Sequence, residues 1–188
     1  MNQVATYQNP GEIIYAQQQH FESVAPKDIS FTKEAEFAVQ ILQGNSYSAR
    51  IAMQNQQSLV AAIRNVAAIG ISLNPAAKHA YLVPRGGKIC LDVGYLGLLH
   101  IATESGSILW AQCHLVHQKD VYKNLGTTKE PLHDYSAFGG EKVRGPIVGC
   151  YCVAKTHDGA YLVEEMDIDA IHAIRARSES FKKGNTSP

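Results

Sequence analysis

A chain of 188 residues with 45% apolar side chains can bury one real core. Its formal net charge of zero excludes an indiscriminately polycationic protein. No stretch reaches the ~18 apolar residues of a membrane span, and the start MNQVATYQNPGEIIYAQQQ lacks the basic opening and apolar run of a secretory signal, so a cytoplasmic protein with no membrane partner is expected.

Charge is uneven along the chain. Residues 1–45 hold two lysines against five acidic side chains, a net of −3, and residues 46–110 hold five cations against two acids, a net of +3. An acidic arm beside a basic middle fits contact between neighbouring copies, or contact with a polyanion. Ordinary solvated surfaces are the alternative.

In chain order, residues 1–28 are Gln-rich and polar, which predicts a flexible arm with short helical pieces. A helix over 31–42 follows, with Phe37, Ala38, Ile41 and Leu42 close to one face and Gly44 as its stop. A second helical region is predicted over 48–69, with Leu59, Ile63, Val66 and Ala67 on one stripe and Gly70 at its end. Asn74 and Pro75 break it. The stretch HAYLVPRGGKICLDV then reads as strand 79–84, a tight reversal at Arg85-Gly86-Gly87, and return strand 88–93. Arg85 and Lys88 would stand at its exposed tip.

A short buried helix is expected over 94–104, apolar through Leu96, Leu98, Leu99 and Ile101. Residues 108–117 alternate as a strand. Residues 119–145 read as a long polar loop, of a length that in a compact domain is usually functional or disordered. A hairpin is predicted from 146–155 and 160–166 about Thr156, His157, Asp158 and Gly159, and Asp167 opens a last helix through Ile168, Ile171 and Ile174. This order of helices and strands predicts an α+β fold with an antiparallel sheet. Cys90, Cys113, Cys150 and Cys152 lie in apolar, strand-like runs without a C-x-x-C pair, so reduced core thiols are expected.

Signals for catalysis are thin. His114 and His117 stand three apart on a strand, which aims them at opposite faces, so a zinc site with Cys113 is a poor fit. Cys150 and Cys152 share a strand face, where a packed small-residue pair is a better reading than a redox centre. The run P-R-G-G-K-I lacks the spacing of a phosphate loop, and Lys88 is followed by Ile89 where that loop needs Ser or Thr. The chain reads as a non-enzyme with no cofactor.

Basic residues interleaved with aromatic ones remain. Lys78, His79, Tyr81, Arg85, Lys88 and Tyr95 cluster in the middle, and Lys119, Tyr122, Lys123, Tyr135, Lys142 and Arg144 in the long loop. Arg175, Arg177, Phe181, Lys182 and Lys183 close the chain. Cations neutralise phosphates and rings stack on bases, which suits a nucleic acid. The bland alternative puts Tyr81 and Tyr95 in the core and the charges on a solvated face.

The stretches GISLNP (70–75), HAYLVP (79–84) and GYLG (94–97), with Ser105-Gly106, resemble the RecT family of phage single-strand annealing proteins. The resemblance continues through VHQKDVY (116–122), His133, GCYCVA (149–154), Asp158-Gly159 and the helix at 166–175, and covers roughly 55–185. It implies a recombination protein acting without ATP, which coats single-stranded DNA as a ring or helical filament and anneals a complementary strand to give duplex. A phage exonuclease, the host single-strand-binding protein and a bacterial cytoplasm are the implied setting. The implied fold is a curved antiparallel sheet with helices and a basic groove, in which the 79–93 hairpin forms a wall presenting Lys78, Arg85 and Lys88. A further basic helix and a C-terminal domain are implied beyond the stretch 184–188.

The resulting expectation is a helical arm over 1–45 for subunit contacts and a DNA-binding, annealing core over 46–188. The expected DNA contacts are Lys78, His79, Tyr81, Arg85, Lys88, Tyr95, Lys119, Lys123, Lys142, Arg144, Arg175, Arg177, Lys182 and Lys183. The first rival is a general single-strand-binding protein that protects DNA without annealing it. A metal-dependent nuclease is the second, and no acidic cluster supports it.

Overall fold

The computed structural model of the chain describes residues 7–182 and Gly184; the expectation for Lys183 falls outside the described residues. The chain divides into two compact units, 1–101 and 102–188, whereas the sequence pointed to a division after residue 45.

In the first unit, α1 (Pro10–Tyr15), α2 (Gln18–Val24), α3 (Phe31–Gln43), α4 (Ser46–Gln54) and α5 (Gln56–Ile69) precede the hairpin β1 (Ala80–Arg85) and β2 (Lys88–Val93), and α6 (Tyr95–Glu104), most of which belongs to this unit, follows it. The short helical pieces expected over 1–28 are present as α1 and α2, and these pack into the core instead of forming a flexible arm. Ile13, Ile14 and Phe21 are fully buried in one core with Phe31, Ala38, Leu42, Leu59, Val66, Ile71 and Leu82. Phe21 meets Phe31 edge-on, with ring centroids 5.3 Å apart. The surrounding glutamines hid the apolar face, but Asn9 marks the helix start by accepting from Glu12 N at 3.1 Å.

The helical region expected over 48–69 is two helices. Asn55 closes α4 and, through its side-chain oxygen, accepts from Ser58 N at 3.2 Å to cap α5. One short polar side chain does both, because Asn bonds the backbone locally as readily as a helix does. Gly70 ends α5 in the left-handed conformation at φ +69, and a side chain there would also strike Pro26. Glu34, 5% exposed on α3, accepts from Ser72 Oγ at 2.7 Å and Leu73 N at 2.6 Å, which ties the GISLNP stretch to the helical layer.

The hairpin forms, but Arg85 belongs to β1 and not to the turn: Gly86 and Gly87, both at positive φ (56 and 72), make a two-residue reversal between the partners Arg85 and Lys88. Its inner face, Ala80, Leu82 and Ile89, is buried, and Ile89 N donates to Ser58 Oγ on α5 at 2.9 Å. α6 is not the buried helix expected: Gly97 is its buried residue, whereas Tyr95 is 78% and Leu98 60% exposed. Gly97 allows the helix to lie on the strand backbone, since a Cβ there would come within 2.2 Å of the His79 carbonyl oxygen.

In the second unit, β3 (Trp110–His117), β4 (Val121–Lys123), β5 (Leu132–Asp134), α7 (Gly140–Arg144), β6 (Ile147–Lys155), β7 (Tyr161–Asp167), α8 (Ile168–Arg175) and α9 (Glu179–Lys182) follow one another. The strands β3-β6-β7 form an antiparallel sheet with β6 in the middle, and β4 pairs with β5. The α+β class therefore stands, with the described strands grouped in three small antiparallel sheets. The expected loop 119–145 is built around β4, β5 and α7. Asp167 caps α8 by accepting from Ala170 N at 2.7 Å. The cysteines are not core thiols: Cys113 is exposed and Cys90, Cys150 and Cys152 are half-buried. No described helix is long and apolar enough to cross a membrane.

Candidate nucleic-acid interface

Strand alternation decides what the hairpin offers to solvent. With Ala80, Leu82 and Ile89 facing the core, the register places Tyr81, Arg85, Lys88 and Asp92 on the opposite face. Tyr81, Arg85 and Lys88 are all exposed, so ring and cations share one rigid outward surface. Arg85 donates to Asp92 at 2.9 Å in an exposed pair, which holds the guanidinium along the strand and offsets part of its charge.

Lys78 and His79 lie where the chain enters β1. Lys78 is exposed and takes a left-handed backbone at φ 55, alone among the described non-glycine residues. Asn74 shapes this turn, its carbonyl accepting from Lys78 N at 3.2 Å. The His79 ring stacks on His100 at 4.5 Å between centroids, and its buried Nδ1 has no hydrogen-bond partner. Burial first, and the neighbouring imidazole second, lower its pKa. His79 is therefore a neutral ring near pH 7, not a cation. Tyr95, at the start of α6, is open to solvent.

Beside Lys88 an open cavity of about 530 Å³ runs along α5 and β2, lined by Asn55, Ser58, Asn65, Ile89 and Leu91 among others. Its amides were not singled out from the sequence, where a helix-capping Asn and a surface Asn carry no signal of a shared cavity.

In the second unit Lys119, Lys123 and Lys142 are exposed, but Arg144 is committed elsewhere. Arg144 Nε donates to Asp120 Oδ1 at 2.9 Å, and its Nη2 donates to Asp120 Oδ2 and, at 3.2 Å, to the Leu115 carbonyl. The guanidinium also lies 4.1 Å over the Tyr135 ring. Asp120, with a side chain 1% exposed, further accepts from His117 N at 2.8 Å and lies 3.1 Å from His133 Nε2. The Arg144 hydrogen bonds hold its carboxyl far below the usual carboxylate range, outweighing the burial that opposes ionisation. His117 Nδ1 donates to the Gly145 carbonyl at 2.6 Å. Tyr122 donates to Glu165 at 2.7 Å, while its ring lies 4.6 Å from that of Tyr151.

The stretch VHQKDVY is thus the frame of a polar core. His117, Asp120 and Tyr122 point inward and Lys119 outward. Arg144, expected among the phosphate contacts, is a clamp between α7 and the turn after β3. The sequence offered one usable hint, a lone Asp followed at some distance by His and Arg, which does not by itself reveal the partners.

At the end of the described chain Arg175 and Arg177 are exposed, and Arg175 lies 4.6 Å over the Phe181 ring. Lys182 is exposed as well. Lys78, His79, Tyr81, Arg85, Lys88 and Tyr95 belong to the first unit, and the remaining candidates to the second.

Comparison with known proteins adds two findings. The family model described as RecT family matches residues 32–188. Protein RecT of Escherichia coli (strain K12) is 30% identical over 140 residues, an alignment covering 70% of this chain and 49% of that protein. The chain spans about half the length of the curated relative it matches.

Proposed function

Because the chain belongs to the RecT family, we propose that it binds single-stranded DNA and anneals a complementary strand to it in phage homologous recombination, without ATP. The observation that carries this reading is the family match across 32–188, which takes in the second unit and the first from residue 32 onward. The exposed face of the hairpin supports it. Lys78, Arg85 and Lys88 supply cations for phosphates, and Tyr81 and Tyr95 supply rings for bases.

The mechanism requires no catalytic residue. Lysine and arginine hold one strand by its backbone, so its base edges stay open and the protein reads shape instead of sequence. A second strand then pairs by base complementarity, and added protein contacts to the duplex favour the product. A homo-oligomeric ring or filament would hold a strand extended over several copies, with residues 1–45 contributing to subunit contacts. A phage exonuclease that exposes the strand and the host single-strand-binding protein are the partners of this reading, and the host cytoplasm is its place.

Mixing complementary oligonucleotides with the purified protein tests the proposal. Pairing should accelerate with neither nucleotide nor metal added. Tight binding of each strand with pairing slowed would instead make this a protective single-strand binder. An absolute need for ATP hydrolysis would overturn the mechanism.

A further inference from the structure

Cys113 on the edge strand β3 stands directly opposite Cys152 on the central strand β6. Residues so paired in an antiparallel sheet have Cα atoms ~4.5–5.5 Å apart, within the ~4.4–6.8 Å that a disulfide spans. Directly opposite residues of an antiparallel pair put their side chains on the same face of the sheet, so the two sulfur atoms lie within reach of each other. Cys150 is excluded by the same register. It faces Leu115, and a diagonal separation of ~7–8 Å puts it out of reach of Cys113. Cys90 belongs to the other unit.

The two thiols differ in a way that orders their reactions. Cys113 is exposed on a face whose neighbours Leu115 and Leu162 are also open, 52% and 51% exposed, so a small oxidant can reach it. Cys152 is half-buried, with Glu164 opposite it on β7. Burial first, then the hydrogen bond to Cys113, pushes the Cys152 thiol up to about 11, so it keeps its proton at neutral pH.

We propose that Cys113 and Cys152 form a redox-modification site, in which a hydroperoxide oxidises Cys113 and Cys152 resolves the product as a cross-strand disulfide. In the first step the Cys113 thiolate attacks the peroxide, the S–O bond forms, the O–O bond breaks, and hydroxide leaves and is protonated to water. In the second step Cys152 sulfur attacks Cys113 sulfur, the S–S bond forms, the S–O bond breaks, and the Cys152 proton leaves with the departing hydroxide as water. Two thiols lose two electrons and one hydrogen peroxide becomes two waters. The disulfide would pin β3 to β6 at the two ends of the segment that carries Lys119, Lys123, Lys142 and the Asp120–Arg144 clamp. The proposal is independent of the annealing reading.

The test treats the folded chain with a small molar excess of hydrogen peroxide, blocks remaining thiols with iodoacetamide, and maps peptides by mass spectrometry. The wild-type protein should yield a Cys113–Cys152 linked peptide two hydrogens lighter than its two parts, and dithiothreitol should release those parts with free, unalkylated thiols. Cys152→Ser should instead accumulate a dimedone-trapped sulfenic acid at Cys113, Cys113→Ser should give neither product, and Cys150→Ser should keep the linked peptide. A linked peptide through Cys150 or Cys90 would overturn the proposal. So would wild-type protein in which Cys113 is oxidised while Cys152 stays open to alkylation.

Discussion

Asp120 is buried, ionised and surrounded by donors from three parts of the second unit, so its charge state is tied to folding. Its pKa is depressed in the folded state, chiefly by Arg144, relative to ~3.9 in an unfolded chain. The unfolded chain therefore binds the proton first as pH falls. The stabilisation is full well above pH ~4 and is lost as pH falls from there through the folded-state value. Asp120→Asn should lower unfolding free energy by roughly 1.5–3 kcal/mol at neutral pH, the scale of hydrogen bonds to a charged group. The gap between variant and wild type should narrow as the pH is lowered below about 4; denaturant titrations at a series of pH values measure it, and a gap independent of pH would remove Asp120 from this role. Lys78 presents the opposite situation, with strain in place of support. Its left-handed backbone costs about 1 kcal/mol that glycine would not incur. Lys78→Gly should raise stability by about that much and Lys78→Ala should not, while both weaken DNA binding if the cation contacts phosphate. Equal stability of the two variants would show that the turn is not strained.

The hairpin is the element on which the DNA reading makes its sharpest demand. Its inner face anchors it through Leu82 and Ile89, so the tip charges can change without disturbing the core. Arg85→Ala with Lys88→Ala should leave the unfolding transition in place, weaken single-strand binding at all sequences alike, and flatten the salt slope by roughly 1.4, or ~0.7 for each lost phosphate contact. Unchanged affinity in a folded double variant would take the hairpin out of the interface. The N-terminal helices make a different demand. Phe21 is 1% exposed against Phe31, so Phe21→Ala should cost about 3–5 kcal/mol, and deleting 1–45 should abolish the cooperative unfolding of the first unit outright. A deleted chain that still unfolds cooperatively would return these residues to the status of an arm. The contrast shows what the sequence made legible. Two glycines between alternating strands announce their own geometry, and Asp167 before an apolar helical stripe announces a cap. Ile13, Ile14 and Phe21 are too sparse among glutamines to display a period, and their burial depends on helices distant in sequence. Arg144 reads from the sequence as a phosphate contact because its partner Asp120 lies 24 residues away, across a loop whose path no local pattern encodes.

At the scale of the whole molecule, a chain of zero net charge binds a polyanion only where its cations act together and its acids stand elsewhere. The exposed cationic candidates are Lys78, Arg85, Lys88, Lys119, Lys123, Lys142, Arg175, Arg177 and Lys182, and Arg144 is paired with Asp120. If about four of these neutralise phosphates in each copy, log affinity for a single strand should fall with log salt at a slope near −0.7 × 4, roughly −3 per subunit. Cooperative assembly steepens the apparent dependence, so the titration belongs at saturating protein on the strand. Annealed duplex should dissociate more slowly than either single strand, because the second strand adds contacts of its own. Arg144→Lys separates structural from interfacial cations. Lysine keeps the charge but not the forked pairing with Asp120, so the variant should lose stability while its salt slope stays near that of the wild type. A slope that drops by one contact in this variant would mean that Arg144 leaves its clamp to meet DNA. A nearly flat slope in the wild type would mean that the cations are scattered solvated charges, and the annealing proposal would then stand on family membership alone.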